Sequence, residues 1–330
     1  MKALALLSGG LDSTLAVKLI LNQGIEVETI NFVTPFCLCK KGCSGTAEVA
    51  KKFHIPLKIV SVGEDYLKIL RSPKYGYGRN MNPCIDCRIF MLKQAKKHAK
   101  ETGASFIFTG EVLDERPMSQ HQKALNIIEK EAGLEGKILR PLSARLLPET
   151  EAEKKGWVDR AKLLDIRGRS RKKQIALAKE FAITDYPCPA GGCLLTYKEY
   201  ADKLRDLFEH KKRVSLKDVQ LLKVGRHFRL GRNKIIVGRN ENENKLLTQQ
   251  KPNGDYYFEA QNCGSPITLL QGPKTSKAIE TAARLTAYHS DQKTGEVLIK
   301  FGNESLDKSV TVTVPSKEKV DELRIKRQKI

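Results

Sequence analysis

Long apolar runs and acidic residues are both scarce in this sequence, and each shortage narrows the class of protein. No apolar run approaches the roughly 20 residues that a helix needs to span a bilayer, and the Met-Lys start leads directly into a strand pattern without a signal-peptide layout. The chain has 38 Asp and Glu against 59 Lys and Arg, a formal net charge of +21. We therefore expect a cytoplasmic protein that binds a polyanion. Nucleic acid is favoured over membrane, because no amphipathic anchor helix is apparent.

A Walker lysine and a dinucleotide-binding fingerprint are also lacking, although a glycine-rich loop follows the first apolar run. The loop reads Ser-Gly-Gly-Leu-Asp-Ser-Thr at residues 8–14, between a strand pattern at 2–7 and a helical pattern at 13–22. Two glycines permit close approach of the backbone to a ligand, and the N–H groups at the start of the helix attract an anion. The segment predicts a pyrophosphate-binding loop, in which Asp12 orients Mg²⁺ or the leaving pyrophosphate through water.

Strand-like and helical patterns alternate through the first half of the chain, which predicts parallel βαβ units. The four predicted strands cover residues 2–7, 26–33, 57–62 and 105–109. Ligands in such sheets lie beyond the carboxyl ends of the strands, so we expect Ser8, Cys37 and Gly110 to face one cleft.

A second domain follows the α/β domain. A helix pattern at residues 197–210 and a basic linker at 211–217 precede a series of short strand patterns with one longer helix. We therefore predict an α/β catalytic domain at residues 1–210 and an α+β domain at residues 211–330.

Eight cysteines in a cytoplasmic protein favour metal or redox chemistry over a disulfide framework. Cys84 and Cys87 form a C-x-x-C pair where a loop enters a helix, and the partial charge of the helix N-terminus should lower their thiol pKa values. The alternatives for this pair are half of a zinc site, a redox disulfide and a chance occurrence without function. Cys37, Cys39 and Cys43 either bind a metal or are thiols of a lid loop above the nucleotide.

Four motifs occur in the order found in MnmA-type tRNA thiouridylases of the PP-loop ATPase family. They are the Ser-Gly-Gly-Leu-Asp-Ser-Thr loop, Asn-Pro-Cys at 82–84, Thr-Gly at 109–110 and Gly-Gly-Cys-Leu-Leu at 191–195. The resemblance covers roughly residues 1–196. It implies that ATP adenylates a uridine carbonyl oxygen and that sulfur then displaces AMP. The loop chemistry and this resemblance together indicate the following ATP-binding residues: Ser8, Gly9, Gly10, Asp12, Ser13, Thr14, Asn31, Phe32, Thr109 and Gly110.

The sequence departs from the family where Cys84 replaces an Asp, which leaves three thiols instead of two. This resembles TtuA-like and cluster-dependent MnmA-like thiolases, and implies that Cys84, Cys87 and Cys193 hold a four-iron four-sulfur cluster with one iron open to hydrosulfide. Cys188 is the alternative third ligand. In a metal-free mechanism, Cys193 carries a persulfide and Cys84 or Cys87 resolves it. With Asp12, the three favoured thiols are the candidate catalytic residues.

Most of residues 222–302 is similar to the RNA-binding domain of NFACT proteins. The similarity begins with Gly-Arg-His-Phe-Arg at residues 225–229 and continues through Val-Gly-Arg-Asn at 237–240 and Gly-Asp-Tyr-Tyr-Phe at 254–258. Basic side chains suit phosphates, and aromatic rings suit stacking on bases. Together with a basic helix start at residues 167–173, this segment provides the candidate RNA-binding residues: Arg169, Arg171, Lys172, Arg226, Arg229, Arg239 and Lys245.

The predicted function is therefore that of an ATP-dependent tRNA uridine sulfurtransferase that makes 2-thiouridine or 4-thiouridine. Its cofactors would be ATP, Mg²⁺ and a 4Fe-4S cluster, and its partners tRNA and a sulfur donor, either sulfide or a persulfide carrier; homodimer formation is left open. Two other hypotheses are a different PP-loop adenylating enzyme and a non-catalytic RNA-binding factor with a vestigial loop. The intact loop argues against the last.

Overall fold

The computed structural model describes residues 1–38, 44–183, 192–250 and 254–326. The chain folds into two compact units, Met1–Thr196 and Tyr197–Ile330. Three cysteines considered above, Cys39, Cys43 and Cys188, lie outside the described residues. Among the described helices, none has the length and apolar character needed to cross a membrane.

The first unit is built on a five-stranded sheet in which every pairing is parallel, with the strand order β3-β2-β1-β4-β5. Its strands are β1 (Lys2–Leu6), β2 (Glu26–Val33), β3 (Leu57–Ser61), β4 (Phe106–Thr109) and β5 (Ile138–Leu139). Its α-helices are α1 (Leu11–Leu21), α2 (Ser44–Lys52), α3 (Glu64–Arg71), α4 (Cys84–Thr102), α5 (Gln122–Ala132), α6 (Glu151–Lys154) and α7 (Lys172–Glu180). The predicted parallel α/β fold is confirmed.

The central strand β1 is apolar throughout because both faces of the sheet are covered by helices. Successive side chains of a strand point to opposite faces. Ala3 and Ala5 accordingly pack in one core cluster with Val17 of α1, whereas Leu4 packs in the other with Ile89 of α4. Strand β1 is therefore fixed in the centre of the sheet. The loop that follows it, and the start of α1, lie at the carboxyl edge of the sheet.

Helix α4 begins at Cys84, with Pro83 as its N-cap. It ends at Thr102, and its C-cap Gly103 has a φ of 69°, the left-handed conformation that closes helices at little cost for glycine. Because α4 leads directly into β4, the first turn of α4 lies at the carboxyl edge of the sheet. The two thiols of this turn, Cys84 and Cys87, therefore lie at the same edge as the glycine-rich loop.

The second unit contains a six-stranded sheet in which every pairing is antiparallel, in the order β11-β10-β8-β9-β7-β6. Its strands are β6 (Arg226–Leu230), β7 (Asn233–Val237), β8 (Tyr256–Ala260), β9 (Thr268–Gln271), β10 (Glu296–Gly302) and β11 (Lys308–Thr313). Its helices are α8 (Lys198–His210), α9 (Leu216–Leu221), α10 (Glu241–Gln249), α11 (Ser276–His289) and α12 (Lys317–Leu323). Small residues of α11, such as Ala278 and Ala282, pack with Phe258 and Ile299 of the sheet in one core, an α+β arrangement.

The units divide before α8, whereas the sequence places the boundary after residue 210. Polar contacts tie α8 to the second unit: the Tyr200 hydroxyl donates to the Val219 carbonyl at 3.2 Å, and Asp206 accepts from Nε of Arg229 at 2.7 Å. The segment expected to be a linker includes Ser215, which caps α9.

Candidate active site

The glycine-rich loop between β1 and α1 is braced by its own hydroxyl groups. Oγ of Ser8 and Oγ of Ser13 lie 3.0 Å apart, and Oγ of Ser13 donates to the carbonyl of Gly10 at 2.9 Å. Thr14 Oγ1 donates to the same carbonyl at 3.0 Å. These bonds fix the loop at the N-terminus of α1, where N–H groups without intrahelical partners favour an anion.

Two glycines allow neighbouring segments to press against this loop. Gly9 has a φ of 74°, and a Cβ atom there would lie 2.8 Å from the backbone nitrogen of Thr46. A Cβ atom at Gly110 would lie 2.5 Å from both Cα and N of Ser13. The turn after β4 therefore packs directly on the first turn of α1, and only glycine fits at the contact.

Three of the remaining predicted ATP-binding residues make contacts of different kinds. Asn31 is buried, and its Nδ2 donates to the carbonyl of Leu7 at 2.7 Å. Phe32 is half-buried against a core cluster. Thr109 Oγ1 donates to Oε2 of Glu111 at 3.2 Å. Adenine contact by Asn31 and Phe32 stays a prediction.

Asp12 takes part in a largely buried group of charges beside the loop. Nη2 of Arg171 lies 3.4 Å from Oδ2 of Asp12 and also pairs closely with Oε1 of Glu115. Burial and the charge of Glu115 raise the pKa of Asp12 to about 6, against the opposing effect of Arg171. Among the described residues, none makes a hydrogen bond of good geometry to the buried Oδ1 of Asp12 or Oε2 of Glu115, although the nearby Gln174 lowers the pKa of Asp12. These two oxygens are suited to bind a cation, directly or through water.

Arg171 belongs to the set that the sequence assigns to RNA. In the structure its guanidinium group is mostly buried between the carboxylates of Asp12 and Glu115. Its neighbours Arg169 and Lys172 are exposed. Arg171 of this basic run therefore lies beside the glycine-rich loop, whereas Arg169 and Lys172 lie at the surface.

A second buried ion-pair network lies just beyond β4. Glu111 accepts from Nε of Arg140 at 3.1 Å, and its other oxygen lies 3.3 Å from Nε of Arg88. Although burial opposes ionisation, these two arginines lower the pKa of Glu111. Arg140 also pairs with Glu129 of α5. The network ties α4 and α5 to the turn that carries Gly110.

Backbone pairing brings Cys193 to the edge where Cys84 and Cys87 lie. The amide of Leu194 donates to the carbonyl of Phe36 at 2.8 Å, and the amide of Met81 donates to the carbonyl of Leu195 at 3.1 Å. The segment at residues 192–196 is thereby hydrogen-bonded both to the loop after β2 and to the residues just before α4. We call Cys84, Cys87 and Cys193 the thiol site.

Burial governs the ionisation of these thiols. It raises the pKa of Cys84 and of Cys87, and raises the pKa of Cys193 to about 12, where nearby Cys87 and Cys84 add to the effect. The expectation that the start of α4 lowers the pKa of the first two thiols is therefore wrong, because desolvation outweighs the helix partial charge. The influence of Cys87 and Cys84 on Cys193 is consistent with a shared site.

Tyr66 borders the thiol site, although no sequence pattern indicated it. Its ring is buried between Phe36 and Phe90, with centroid separations of 6.1 and 5.6 Å, and its side chain hydrogen-bonds to Cys87. Glu115 and Arg140 were also missed as partners in buried ion pairs. A buried tyrosine in an amphipathic helix carries no local signal of a distant thiol.

An iron–sulfur cluster at the thiol site stays a prediction. Cysteine sulfur is the usual ligand of such clusters. Within residues 1–38, 44–183, 192–250 and 254–326, no group of three or more His, Cys, Asp or Glu side chains is placed to hold one metal ion.

Most of the predicted RNA-binding residues of the second unit have acidic partners. Arg229 and Arg239 pair with Asp206 and Glu243, and the exposed Lys245 pairs with Glu241 on α10. Arg226 Nη1 instead donates to the carbonyl of Gly238 at 3.0 Å and keeps part of its surface exposed. The structure leaves Arg226, Arg239 and Lys245 accessible, whereas Arg229 is largely covered.

The parallel sheet, the glycine-rich loop and the braced start of α1 form an α/β fold of the PP-loop type, which a separate antiparallel domain follows. Residues 1–151 match the family model described as Thiamine biosynthesis protein (ThiI), and residues 225–324 match the model of the NFACT protein RNA binding domain. The first unit is thus similar to the ThiI family over most of its length, and the second is similar to the NFACT RNA-binding domain. Both similarities confirm what the motifs predicted.

Individual relatives match only part of the chain. The tRNA-specific 2-thiouridylase MnmA of Syntrophotalea carbinolica is 32% identical over 117 residues, which cover 32% of this chain and 33% of that protein. A probable tRNA sulfurtransferase of Thermococcus kodakarensis is 31% identical over 147 residues, 43% of this chain and 36% of the relative. The chain thus spans about a third of the length of these curated relatives.

One solved structure that resembles the chain is that of a 4-thiouridine synthetase in complex with RNA and bound ATP. It is 23% identical, with a TM-score of 0.40, and the likeness covers 67% of this chain and 52% of that one.

Proposed function

We propose that the protein is an ATP-dependent tRNA uridine sulfurtransferase. It adenylates a uridine carbonyl oxygen with release of pyrophosphate and then replaces AMP by sulfur, which yields 2-thiouridine or 4-thiouridine. One observation carries the proposal: the pyrophosphate-binding loop and the thiol site lie at the same edge of one parallel sheet. The partial matches to relatives named as tRNA thiouridylase and tRNA sulfurtransferase support it.

The adenylation step is assigned to the loop and its buried charges. Backbone N–H groups of Gly9, Gly10 and the start of α1 would bind the phosphates, since no side chain blocks the approach. The unpaired oxygens of Asp12 and Glu115 would hold Mg²⁺, directly or through water, beside the departing pyrophosphate. Arg171, which pairs with both carboxylates, would contact a phosphate oxygen once the cation binds.

The sulfur step is assigned to the thiol site. Cys84, Cys87 and Cys193 would hold a 4Fe-4S cluster, which when bound supplies an iron with an open position for hydrosulfide. Tyr66 orients Cys87 through its hydrogen bond, and the apolar rings beside it exclude water. The proximity of Cys193 to the other two thiols also favours a second mechanism, in which Cys193 carries a persulfide and Cys84 or Cys87 resolves it.

RNA binding is assigned to the NFACT-type unit together with exposed cations of the first unit. Arg226, Arg239 and Lys245 are the proposed phosphate contacts in the second unit, and Arg169 and Lys172 those in the first. The net charge of +21 supports strong attraction to a polyanion.

The test is anaerobic purification with iron and sulfide determination, followed by an assay of ATP-dependent thiolation on tRNA transcripts. Cys84→Ala, Cys87→Ala and Cys193→Ala should each abolish iron binding, the broad visible absorption of the cluster and thiolation. Cys263→Ala, in the second unit, is the matched control and should affect none of these. Iron-free protein that thiolates tRNA would favour the persulfide mechanism. Failure to form AMP with tRNA and a sulfur donor present would refute the proposed function.

A further inference from the structure

Cys37, in the loop after β2, lies opposite Cys193 in an isolated antiparallel bridge. The amide of Leu194 donates to the carbonyl of Phe36 at 2.8 Å, and the amide of Leu38 donates to the carbonyl of Gly192 at 3.4 Å. Both hydrogen bonds therefore join the neighbours of the cysteines, and neither joins the cysteines themselves. This is the pattern of a non-hydrogen-bonded antiparallel pair, in which the Cα atoms lie about 4.5 Å apart and the side chains are close.

That separation lies within the range of disulfides, whose Cα atoms are usually about 4.4 to 6.8 Å apart. Residues directly opposite in an antiparallel pair also project to the same face. The two segments approach so closely that a Cβ atom at Gly192 would lie 2.4 Å from Cδ1 of Leu38. Backbone pairing thus places the two cysteines opposite each other, in the arrangement that brings paired side chains close together.

The two cysteines differ in access to solvent. Cys37 is exposed, whereas Cys193 is partly buried and belongs to the thiol site. An oxidant in solution therefore reaches Cys37 first. A bond between the two would engage the sulfur of Cys193 and prevent that sulfur from binding a metal or carrying a persulfide.

We propose that Cys37 and Cys193 form a reversible disulfide across this bridge, and that the disulfide switches the thiol site off. Formation of the disulfide depends only on the geometry of the bridge, whereas its effect on the thiol site rests on the proposed function. Nothing in the sulfur-transfer assignment above uses Cys37. The residue thereby gains a role distinct from those of Cys84 and Cys87.

The oxidation proceeds by thiol–disulfide exchange with a low-molecular-weight disulfide such as oxidised glutathione. The thiolate of Cys37 attacks one sulfur of the oxidant, forms a mixed disulfide and releases one thiolate. Cys193 then attacks Sγ of Cys37 and releases the second. The two cysteines together lose two electrons and two protons, and the oxidant is reduced to two thiols. A small dithiol reverses both steps.

The disulfide can be mapped without any activity assay. Full-length protein prepared anaerobically is incubated with oxidised glutathione, alkylated, digested and analysed by mass spectrometry. We expect a linked peptide pair that contains Cys37 and Cys193 in the wild type and in the control Cys263→Ser, and its loss in Cys37→Ser. Linkage of Cys37 to any other cysteine, or oxidation confined to Cys84 and Cys87, would overturn the proposal.

A functional measurement tests the switch. Oxidised wild-type protein should lose most of its tRNA thiolation and regain it with dithiothreitol. Reduced Cys37→Ser should thiolate like the wild type and keep that activity under the same oxidation. If Cys37→Ser loses activity to the same extent as the wild type, the switch is refuted. If reduced wild-type protein does not thiolate tRNA at all, the proposed function fails, while peptide mapping still decides whether the disulfide forms.

Discussion

Replacing Asp12 with Asn should stabilise the first unit above pH 6 while it abolishes ATP turnover. Burial and the charge of Glu115 raise the pKa of Asp12 from an ordinary 3.8 to about 6. The fold therefore disfavours the ionised carboxylate that the proposed chemistry requires. An amide of nearly the same shape removes this unfavourable charge and, with it, the oxygen proposed to bind the cation.

The sign and size follow from proton linkage. Asp12 ionises in the unfolded chain at a lower pH than in the folded chain, so its effect on stability becomes unfavourable as pH rises from about 4 to about 6, and stays so above that range. At about 1.4 kcal/mol per pH unit, the full cost is about 3 kcal/mol. Asp12→Asn also leaves Arg171 with one carboxylate fewer. We expect a net gain of about 1 to 3 kcal/mol at pH 8 and little or none at pH 4.

The single tryptophan, Trp157, reports on the first unit, since it packs against that core and stacks on Phe106 with a centroid separation of 6.4 Å. Urea unfolding followed by its fluorescence at pH 4 and pH 8 measures the difference between variant and wild type. Asp65→Asn, at an exposed position of α3 where Lys68 lowers the carboxyl pKa, is the control and should give no gain at pH 8. The reasoning would be refuted if Asp12→Asn were no more stable than the wild type at pH 8, or were stabilised equally at both pH values. Release of pyrophosphate by the variant at the wild-type rate would also refute it.

Three further predictions test other parts of the structure. Gly110→Ala should abolish pyrophosphate release and lower the urea midpoint, because its Cβ would meet backbone atoms of α1, whereas Gly63→Ala, with open space around it, should do neither. Tyr66→Phe should raise the pKa of Cys87 further, since the hydroxyl now lowers it, and the pH dependence of Cys87 alkylation measures this. Removal of residues 197–330 should weaken tRNA binding and flatten its salt dependence, by about 0.9 in log–log slope for each lost duplex phosphate contact; an unchanged slope would assign tRNA binding to the first unit.

Much of the fold could be predicted because its strands are locally distinctive. The pattern at residues 26–33 is observed as β2 with the same bounds, and the loop at residues 8–14 falls between β1 and α1 as expected. Short amphipathic helices such as α3 and α5 were not predicted, although their buried residues, for example Leu67 and Leu70 of α3, recur at helical spacing. Tertiary packing rather than local propensity stabilises helices of this length.

The partners of the site could not be predicted because they are distant in sequence. Arg171 pairs with Asp12 and Glu115 only after α7 docks beside the loop. Its basic neighbours indicated RNA, and no local pattern distinguishes a buried arginine from an exposed one. The same holds for the thiol pKa values: helix position can be predicted from sequence, but the desolvation that dominates them depends on the whole fold.

Main-chain hydrogen bonds join residues 192–196 to the loop after β2 and to the residues just before α4. These bonds affect which parts of the sequence can vary between homologous chains. Any residue except proline supplies the amides that donate at Leu38, Met81 and Leu194. Side chains along this seam are therefore free to vary while the register of the backbone keeps the cysteines in place. Homologous chains that share this pairing can exchange one set of sulfur ligands for another without rebuilding the scaffold around them.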